Sequence, residues 1–220
     1  MAEKPICFVF GAGAPPVCPP DIAAQDMVIA ADGGYTYTQR AGIRTDVLIG
    51  DFDSLPTIPD SKNGNPLIKR LPKEKDQTDL LAALQYGLEH GFERFHIYGG
   101  TGGRLDHTLA NIQCLAYLVN QGARGYLHGN NFTATAFRGE IWLAARQSGV
   151  VSVFALGEPA HGVFLRGLKY ELENATLLTD FPLGVSNEFT GQTVQIKAEQ
   201  GLLAVIYPAG TQEIERPSGL

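Results

Sequence analysis

Short apolar runs that end in glycine or aspartate recur through the first 130 residues. Residues 6–10 end in Gly11-Ala12-Gly13, and residues 27–31 end in Asp32-Gly33-Gly34. Further runs of this kind are residues 47–49, 67–68, 95–98 and 126–128. Runs this short and without alternation are typical of strands covered on both faces, as in a parallel sheet.

Two helical patterns lie between these runs. Residues 78–90 place leucines on one stripe, and the pattern stops at Gly91. Residues 106–121 form a second stripe that stops at Gly122. Strand, loop and helix repeated in this way predict a doubly wound, mainly parallel α/β domain over residues 1–130.

The pattern changes after about residue 130. Six β-rich segments follow, separated by Gly, Asn or Pro, and no convincing helical stripe remains. They are residues 133–137, 141–145, 150–155, 163–165, 193–197 and 202–207. We therefore expect residues 131–220 to form an all-β domain, a β-sandwich.

Composition excludes several classes of protein. The formal net charge is -6, whereas a general nucleic-acid binder shows a basic face. No apolar run approaches the roughly 18 residues needed to span a membrane, and we expect no signal peptide before the first run. The three cysteines form no metal or redox spacing, which fits a reducing cytoplasm.

Polar residues are concentrated at the predicted carboxyl ends of the strands, where ligands bind in open parallel sheets. They are Asp32 after the second run, Asp51 and Asp53 after the third, Asp76 and Asp79 after the fourth, and Arg104, Asp106 and His107 after the fifth. We therefore expect loops that are distant in sequence to meet in one cleft. The remaining histidines, among them His96 and His128, are scattered and are interpreted as structural.

Asp51 and Asp53 are two residues apart, a spacing that projects both side chains to one side of an extended chain. Hard oxygen ligands without sulfur or clustered imidazole suit Mg²⁺. A simple polar turn is the alternative interpretation. Asp76 and Asp79 share a face at a helix start, where Asp76 is a good N-cap and Asp79 the better candidate for chemistry.

Residues 99–103 contain four glycines. Successive backbone amides of residues without side chains, placed before a helix N-terminus, favour phosphate binding. The guanidinium of Arg104 can bind phosphate oxygens bidentately. Asp106 is a plausible N-cap of that helix. The segment is not a Walker A loop, and no such loop occurs elsewhere in the chain.

Six short motifs occur in order along the chain. They are Ala31-Asp32-Gly33-Gly34, Gly50-Asp51-Phe52-Asp53-Ser54, Lys75-Asp76-Gln77-Thr78-Asp79, Gly99-Gly100-Thr101-Gly102-Gly103-Arg104-Leu105-Asp106-His107, Gly167-Leu168-Lys169-Tyr170 and Gly184-Val185-Ser186-Asn187-Glu188-Phe189. In this order they resemble the motifs of the thiamine pyrophosphokinase family, and the likeness extends over almost the whole chain.

The resemblance implies a nucleotide-binding catalytic domain over residues 1–130 and a thiamine-binding, dimerising β-sandwich over residues 131–220. It implies transfer of the diphosphoryl group of ATP to the hydroxyl of thiamine, giving thiamine diphosphate and AMP, with Mg²⁺ as cofactor. It also implies a homodimer with active sites between the subunits.

Carried onto the matching positions, the resemblance gives Asp51, Asp53 and Asp79 as Mg²⁺ ligands. Arg104 and Asp106 join them in catalysis, and thiamine contacts Ser186 and Asn187. We also expect an aromatic side chain, such as that of Phe189, to pack on a ring of thiamine. The expected contacts of ATP are Asp32, Gly33, Asp76, Gln77, Thr78, Gly102, Gly103, Arg104 and His107.

Some alternatives stay open at this point. Either Asp79 or Asp106 is placed to accept the hydroxyl proton. A pyrophosphokinase for another hydroxymethyl heterocycle, such as a pterin, would share the phosphate machinery. A non-catalytic sensor of thiamine diphosphate or a nucleotide would share the binding loops, but the intact set of carboxylates with Arg104 favours an enzyme.

Overall fold

The structure is a computed structural model that describes residues 4–16, 18–53, 55, 57, 59, 66–74 and 76–217. The chain divides into two compact units, Met1–Asn130 and Asn131–Leu220. The first contains parallel strands with helices, and the second contains antiparallel strands. The predicted fold class, an α/β domain followed by a β-sandwich, is confirmed.

The first unit is built on a parallel sheet. Its strands in the described part of the chain are β1 (Cys7–Phe10), β2 (Met27–Ala31), β3 (Val47–Gly50), β4 (Leu67–Arg70), β5 (Arg94–Tyr98) and β6 (Arg124–His128). They are hydrogen-bonded in the order β6-β5-β1-β2-β3-β4, and each of these pairs is parallel. Every predicted run of this unit is therefore a strand.

Helices cover both faces of this sheet. They are α1 (Gly34–Arg40), which the sequence pattern did not predict, α2 (Asp79–Glu89) and α3 (Leu105–Asn120). The Tyr37 ring of α1 stacks on Phe10 of β1, whereas Gly87 of α2 lies against Cys7. Cys7 and Phe10 are three residues apart on β1, so their side chains lie on opposite faces of the sheet. Helices α1 and α2 therefore pack on opposite faces, and the sheet is doubly wound.

The strand order reverses between β1 and β5. From β1 the chain builds β2, β3 and β4 on one side of the sheet, and it then returns to place β5 and β6 on the other side. Ligands of open α/β sheets bind beyond the carboxyl ends of the strands at such a switch point. The loops that follow β1 and β5 are therefore the expected walls of the site.

The second unit is a sandwich of two antiparallel layers. One layer has the order β12-β9-β14-β7 and the other the order β11-β10-β13-β8-β15. Leu143, Val153, Leu165, Ile196 and Val205 come from both layers and share one buried core. The strands are β7 (Phe132–Phe137), β8 (Glu140–Leu143), β9 (Val150–Ala155), β10 (Ala160–Arg166), β11 (Leu172–Leu177), β12 (Asn187–Glu188), β13 (Val194–Lys197), β14 (Leu203–Pro208) and β15 (Glu213–Ile214).

Two histidines that the sequence left scattered meet in the first unit. His96 Nδ1 of β5 lies 2.9 Å from His128 Nε2 of β6, and the His128 ring stacks on Tyr98. Burial lowers the pKa of His96 to about 3, and the charges of His128 and Arg94 add to that shift. Burial also lowers the pKa of His128 to about 4, so both imidazoles are neutral at pH 7.

In the part of the chain that the structure describes, no helix is long and apolar enough to cross a membrane. The three cysteines are free: Cys7 and Cys114 are buried, and Cys18 is exposed. Burial raises the pKa of the Cys114 thiol to about 11, so this side chain behaves as a small core residue rather than a nucleophile.

Candidate active site

A cleft of about 360 Å³ lies at the switch point. Its walls come from the loops after β1, β2 and β5 and from the first turns of α2 and α3. The predicted site residues in its lining are Asp32, Thr78, Asp79, Gly103, Arg104 and His107. The predicted site residues of the first unit that are outside the lining are Gly33, Asp51, Asp53, Asp76, Gln77, Gly102 and Asp106.

The loops after β1 and β5, which both line this cleft, are hydrogen-bonded to each other. Gly13 donates its amide to the Gly99 carbonyl at 2.7 Å, and Ala14 donates to Thr101 at 2.7 Å. Gly99 has a φ of 64°, and a Cβ there would lie 2.2 Å from the Gly11 carbonyl oxygen. Only glycine fits this approach, because both the conformation and the space exclude a side chain.

The amides of residues 100–103 have no protein acceptor among the described residues. Arg104 follows them as the N-cap of helix α3, which begins at Leu105 and runs for 16 residues. Its first turn adds the positive end of the helix dipole to these bare amides. The arrangement suits an anion with several oxygens, such as a phosphate chain.

Three carboxylates gather beside the cleft. Asp32 follows β2, and Asp51 and Asp53 follow the neighbouring β3, so that one oxygen from each lies within 4.8 Å of the others. The Asp53 amide donates to Asp51 Oδ1 at 3.1 Å, which holds the turn. Close carboxylate oxygens without nitrogen or sulfur are a donor set that fits Mg²⁺.

The backbone around these carboxylates is strained. Asp32 and Phe52 have left-handed φ values of 46° and 66°, which cost non-glycine residues of order 1–3 kcal/mol each. Phe52 is only 4% exposed and packs against Tyr35 and Leu48. This buried ring anchors the turn, so the flanking Asp51 and Asp53 are held at the sheet edge.

Sequence reasoning assigned Asp32 to the nucleotide and missed its place in the carboxylate group. The signal was present, because Asp32 and Asp51 each follow a strand and β2 neighbours β3. Asp79, the third expected metal ligand, is not in this group and lines the cleft instead. Ser54 and Lys75 of the motifs lie outside the described residues.

The start of α2 is capped by Thr78. Its hydroxyl accepts from the Leu81 amide at 3.1 Å, and Asp79 is the first helical residue. The prediction that Asp76 caps this helix is wrong, because Asp76 precedes the cap by two residues and is exposed. Thr78 and Asp79 are thereby held at the cleft by the helix itself.

At the start of α3, Arg104 pairs with Asp106. Arg104 Nε donates to Asp106 Oδ1 at 3.1 Å, and the same oxygen accepts from the His107 amide. The Arg104 hydrogen bond lowers the pKa of Asp106, and the partnership raises the pKa of Arg104. The expectation that Asp106 is the N-cap is wrong, because Arg104 occupies that position and Asp106 is the second helical residue.

The two predicted thiamine residues differ in their surroundings. Asn187 is 3% exposed, and its side chain accepts from the Tyr170 amide at 2.9 Å and donates to the Tyr170 carbonyl at 2.6 Å. Ser186 is exposed and has a left-handed φ of 59°. Phe189 is buried in the sandwich core, whereas Tyr170 is 58% exposed.

Gly11, Gly13 and Asn111 are among the cleft residues that were not predicted. Gly11 and Gly13 line the cleft and bond the loop after β5, although the sequence showed them only as the end of a strand. Asn111 is 5% exposed and lies in the lining, where its side chain donates to the Gly100 carbonyl at 2.7 Å. A polar residue within the apolar stripe of a helix was the available signal.

Comparison with known proteins gives matches over most of the chain. Residues 21–127 match the catalytic domain of thiamin pyrophosphokinase, and residues 143–203 match its vitamin B1 binding domain. Thiamine pyrophosphokinase of Bacillus subtilis (strain 168) is 30% identical over 203 residues, which cover 89% of this chain and 95% of the relative. Thiamin pyrophosphokinase 1 of Caenorhabditis elegans is 28% identical over 170 residues, 71% and 68% of the two chains.

Solved structures give the same result. The crystal structure of thiamine pyrophosphokinase from Bacillus subtilis superposes with a TM-score of 0.80 at 28% identity, covering 94% of this chain and 100% of that one. The structure of a thiamin pyrophosphokinase family protein from Enterococcus faecalis gives 0.77 at 26% identity, with 93% and 99% covered.

The fold and site define an α/β protein with an amide-lined cleft at its switch point, followed in the chain by a β-sandwich. The matches over both units are more specific. The chain belongs to the thiamine pyrophosphokinase family.

Proposed function

We propose that this protein is an enzyme that transfers the diphosphoryl group of ATP to the hydroxyl of thiamine, giving thiamine diphosphate and AMP. The observation that carries the proposal is the placement of three carboxylates beside an amide-lined cleft, in a member of this family. Transfer of this kind depends on positioning and charge neutralisation more than on covalent chemistry.

The phosphates of ATP take the bare amides of residues 100–103 and the first turn of α3. Arg104 lies in the lining and binds phosphate oxygens bidentately, for which it exchanges part of its contact with Asp106. Thr78 and His107 lie on the same cleft and contact the nucleotide. The loop amides are in place before the reaction, so they stabilise developing charge without reorganisation.

Asp32, Asp51 and Asp53 would hold Mg²⁺, because their oxygens are hard ligands within 4.8 Å of one another. When bound, Mg²⁺ supplies positive charge that neutralises phosphate oxygens. Asp32 also lines the cleft and so connects the carboxylate group to the phosphate site.

In the reaction, the thiamine hydroxyl oxygen forms a bond to the β-phosphorus. The bond from that phosphorus to the oxygen bridging the α-phosphorus breaks, and this oxygen leaves with AMP. We assign the proton of the hydroxyl to Asp79, which lines the cleft. Asp106 is the poorer acceptor, because its pKa is lowered and its oxygens are engaged by Arg104 and the His107 amide.

The α/β unit is then the catalytic domain, and the sandwich binds thiamine. Ser186 and the exposed Tyr170 ring contact the vitamin, and Asn187 holds Tyr170 in position through its two backbone bonds. We further propose a homodimer with active sites between subunits, supported by the exposed apolar side chains of Phe181, Leu183 and Val185. The free cysteines support a cytoplasmic location.

The test is a coupled measurement of AMP and thiamine diphosphate from ATP, Mg²⁺ and thiamine. Both products should appear together, and omission of thiamine or addition of EDTA should abolish both. AMP released with a hydroxymethyl pterin but not with thiamine would move the assignment to another pyrophosphokinase. Nucleotide binding without AMP release in any mixture would identify a sensor.

A further inference from the structure

Four consecutive carbonyls, those of the last residue of β5 and of residues 99–101 of the glycine-rich loop, each accept a hydrogen bond from elsewhere in the first unit. The donors, in the order of the carbonyls, are Gly11 N at 2.8 Å, Gly13 N at 2.7 Å, Asn111 Nδ2 at 2.7 Å and Ala14 N at 2.7 Å. Three of these donors are backbone amides of one loop. The fourth is the side chain of a residue on α3.

A carbonyl and the amide that follows it belong to one planar peptide unit and point in opposite directions. A bond to the Gly100 carbonyl therefore fixes the direction of the Thr101 amide. The bonds to Gly99 and Thr101 fix the amides of Gly100 and Gly102 in the same way. None of these amides has an acceptor among the described residues. The hydrogen bonds to the carbonyls therefore hold the amides in an orientation that leaves them available to a ligand.

We infer that Asn111 is a positioning residue for the phosphate loop, because its amide group holds the Gly100 peptide in the orientation that presents the Thr101 amide to the ligand. The inference rests on the proposed function for the identity of that ligand. Asn111 is 5% exposed, and a Cβ on Gly100 would lie 3.3 Å from its Nδ2, so donor and loop are closely packed. Of the four hydrogen bonds, only this one has a side-chain donor, so only this one can be removed by truncating a side chain.

The test compares Asn111→Asp with Asn111→Ala. Aspartate has nearly the same shape as asparagine, but its ionised form presents only acceptors to the Gly100 carbonyl. Its protonated form has a hydroxyl that can donate to that carbonyl, and burial raises the pKa of such a group. Alanine has no donor at any pH. Gln113→Glu, at an exposed position of the same helix, adds the same charge away from the loop.

At pH 8 we expect kcat/KM for ATP to fall about 10- to 100-fold in both Asn111 variants, because a displaced positioning group costs rates of this size. The KM for thiamine should stay within about twofold. Between pH 8 and pH 6 the activity of Asn111→Asp relative to wild type should rise about tenfold, while that of Asn111→Ala stays low. Gln113→Glu should match wild type throughout.

A pH-independent ratio of Asn111→Asp to Asn111→Ala would overturn the inference, as would wild-type activity in both. A second measurement needs no variant. Inorganic tripolyphosphate added to the wild type should shift the amide resonances of residues 100–103, and unshifted resonances in the presence of binding would also overturn it. If these shifts occur but no AMP is released with thiamine, the proposed function fails, whereas anion binding by the loop stands.

Discussion

Acidification should destabilise the first unit through the His96 and His128 pair. An imidazole in an unfolded chain has a pKa of about 6.5, whereas the folded values are about 3 for His96 and about 4 for His128. Because the folded values are lower, the unfolded state takes up protons first. The stability that the neutral pair contributes is therefore complete above pH 6.5 and is lost as the pH falls towards 4.

The magnitude follows from proton uptake. Between pH 6.5 and pH 5 the unfolded chain binds nearly one proton on each imidazole, while the folded pair binds almost none. A difference of one bound proton between the two states changes the free energy of unfolding by about 1.4 kcal/mol per pH unit. At pH 5 each histidine therefore lowers the free energy of unfolding by about 2 kcal/mol, and the pair lowers it by about 4 kcal/mol. The rings that enclose the pair belong to Phe8, Tyr98 and Tyr126, and the nearby charge is that of Arg94.

The measurement is urea unfolding at pH 7 and pH 5, followed by the amide resonances of β5 and β6 so that the signal reports the first unit. Carboxylates also titrate in this range, so the wild type is compared with the double variant His96→Gln/His128→Gln. The wild type should lose about 4 kcal/mol more than the variant, and the exposed control His161→Gln should behave as wild type. Equal losses of unfolding free energy in the wild type and the double variant would refute the reasoning. Imidazole resonances of His96 and His128 that titrate near pH 6.5 would refute it as well.

Three further substitutions test the site. Gly99→Ala should cost about 2 kcal/mol or more in thermal unfolding, because it combines a left-handed φ with a Cβ 2.2 Å from a backbone oxygen; Gly91→Ala, with a φ of 81° and open space, should cost only about 1 kcal/mol. Asp51→Asn should lower kcat about 100-fold or more with unchanged unfolding, and near-normal turnover at limiting Mg²⁺ would remove Asp51 from the metal site. Ser186→Ala should raise the KM for thiamine about tenfold with the ATP KM unchanged, and an unaltered thiamine KM would exclude this side chain from the pocket.

Much of the fold follows from local pattern. Every short apolar run of the first unit is a strand, because a strand covered on both faces must be apolar at successive positions. The ends of helices α2 and α3 lie within one residue of their predicted bounds. Glycine follows each pattern closely, and each amphipathic pattern is long enough to be recognised in the sequence.

The elements that the pattern missed have little apolar surface. Helix α1 has seven residues, and its buried positions are Gly34, Tyr35 and Thr38, which share a face but include only one large side chain. Strand β11 is at the edge of its sheet and is largely exposed, so its sequence Leu172–Leu177 lacks alternation. The N-cap of α2 was misassigned because aspartate and threonine are both good caps, and only the hydrogen bond that the Thr78 hydroxyl accepts from the Leu81 amide distinguishes them. The N-cap of α3 is Arg104, whose side chain makes no capping hydrogen bond, so no preferred capping residue marks it in the sequence.

The sequence by itself determined the residue types of the site: carboxylates after buried strands, a glycine-rich segment before a helix, and an arginine beside it. Only the tertiary structure decided which of them meet. Strand order joins Asp32 to Asp51 and Asp53, sets the loop after β1 against the loop after β5, brings Asn111 to Gly100 and pairs His96 with His128. The physical reason is that burial and periodicity act on each segment locally, whereas neighbours in a parallel sheet are chosen by packing between segments far apart in the chain.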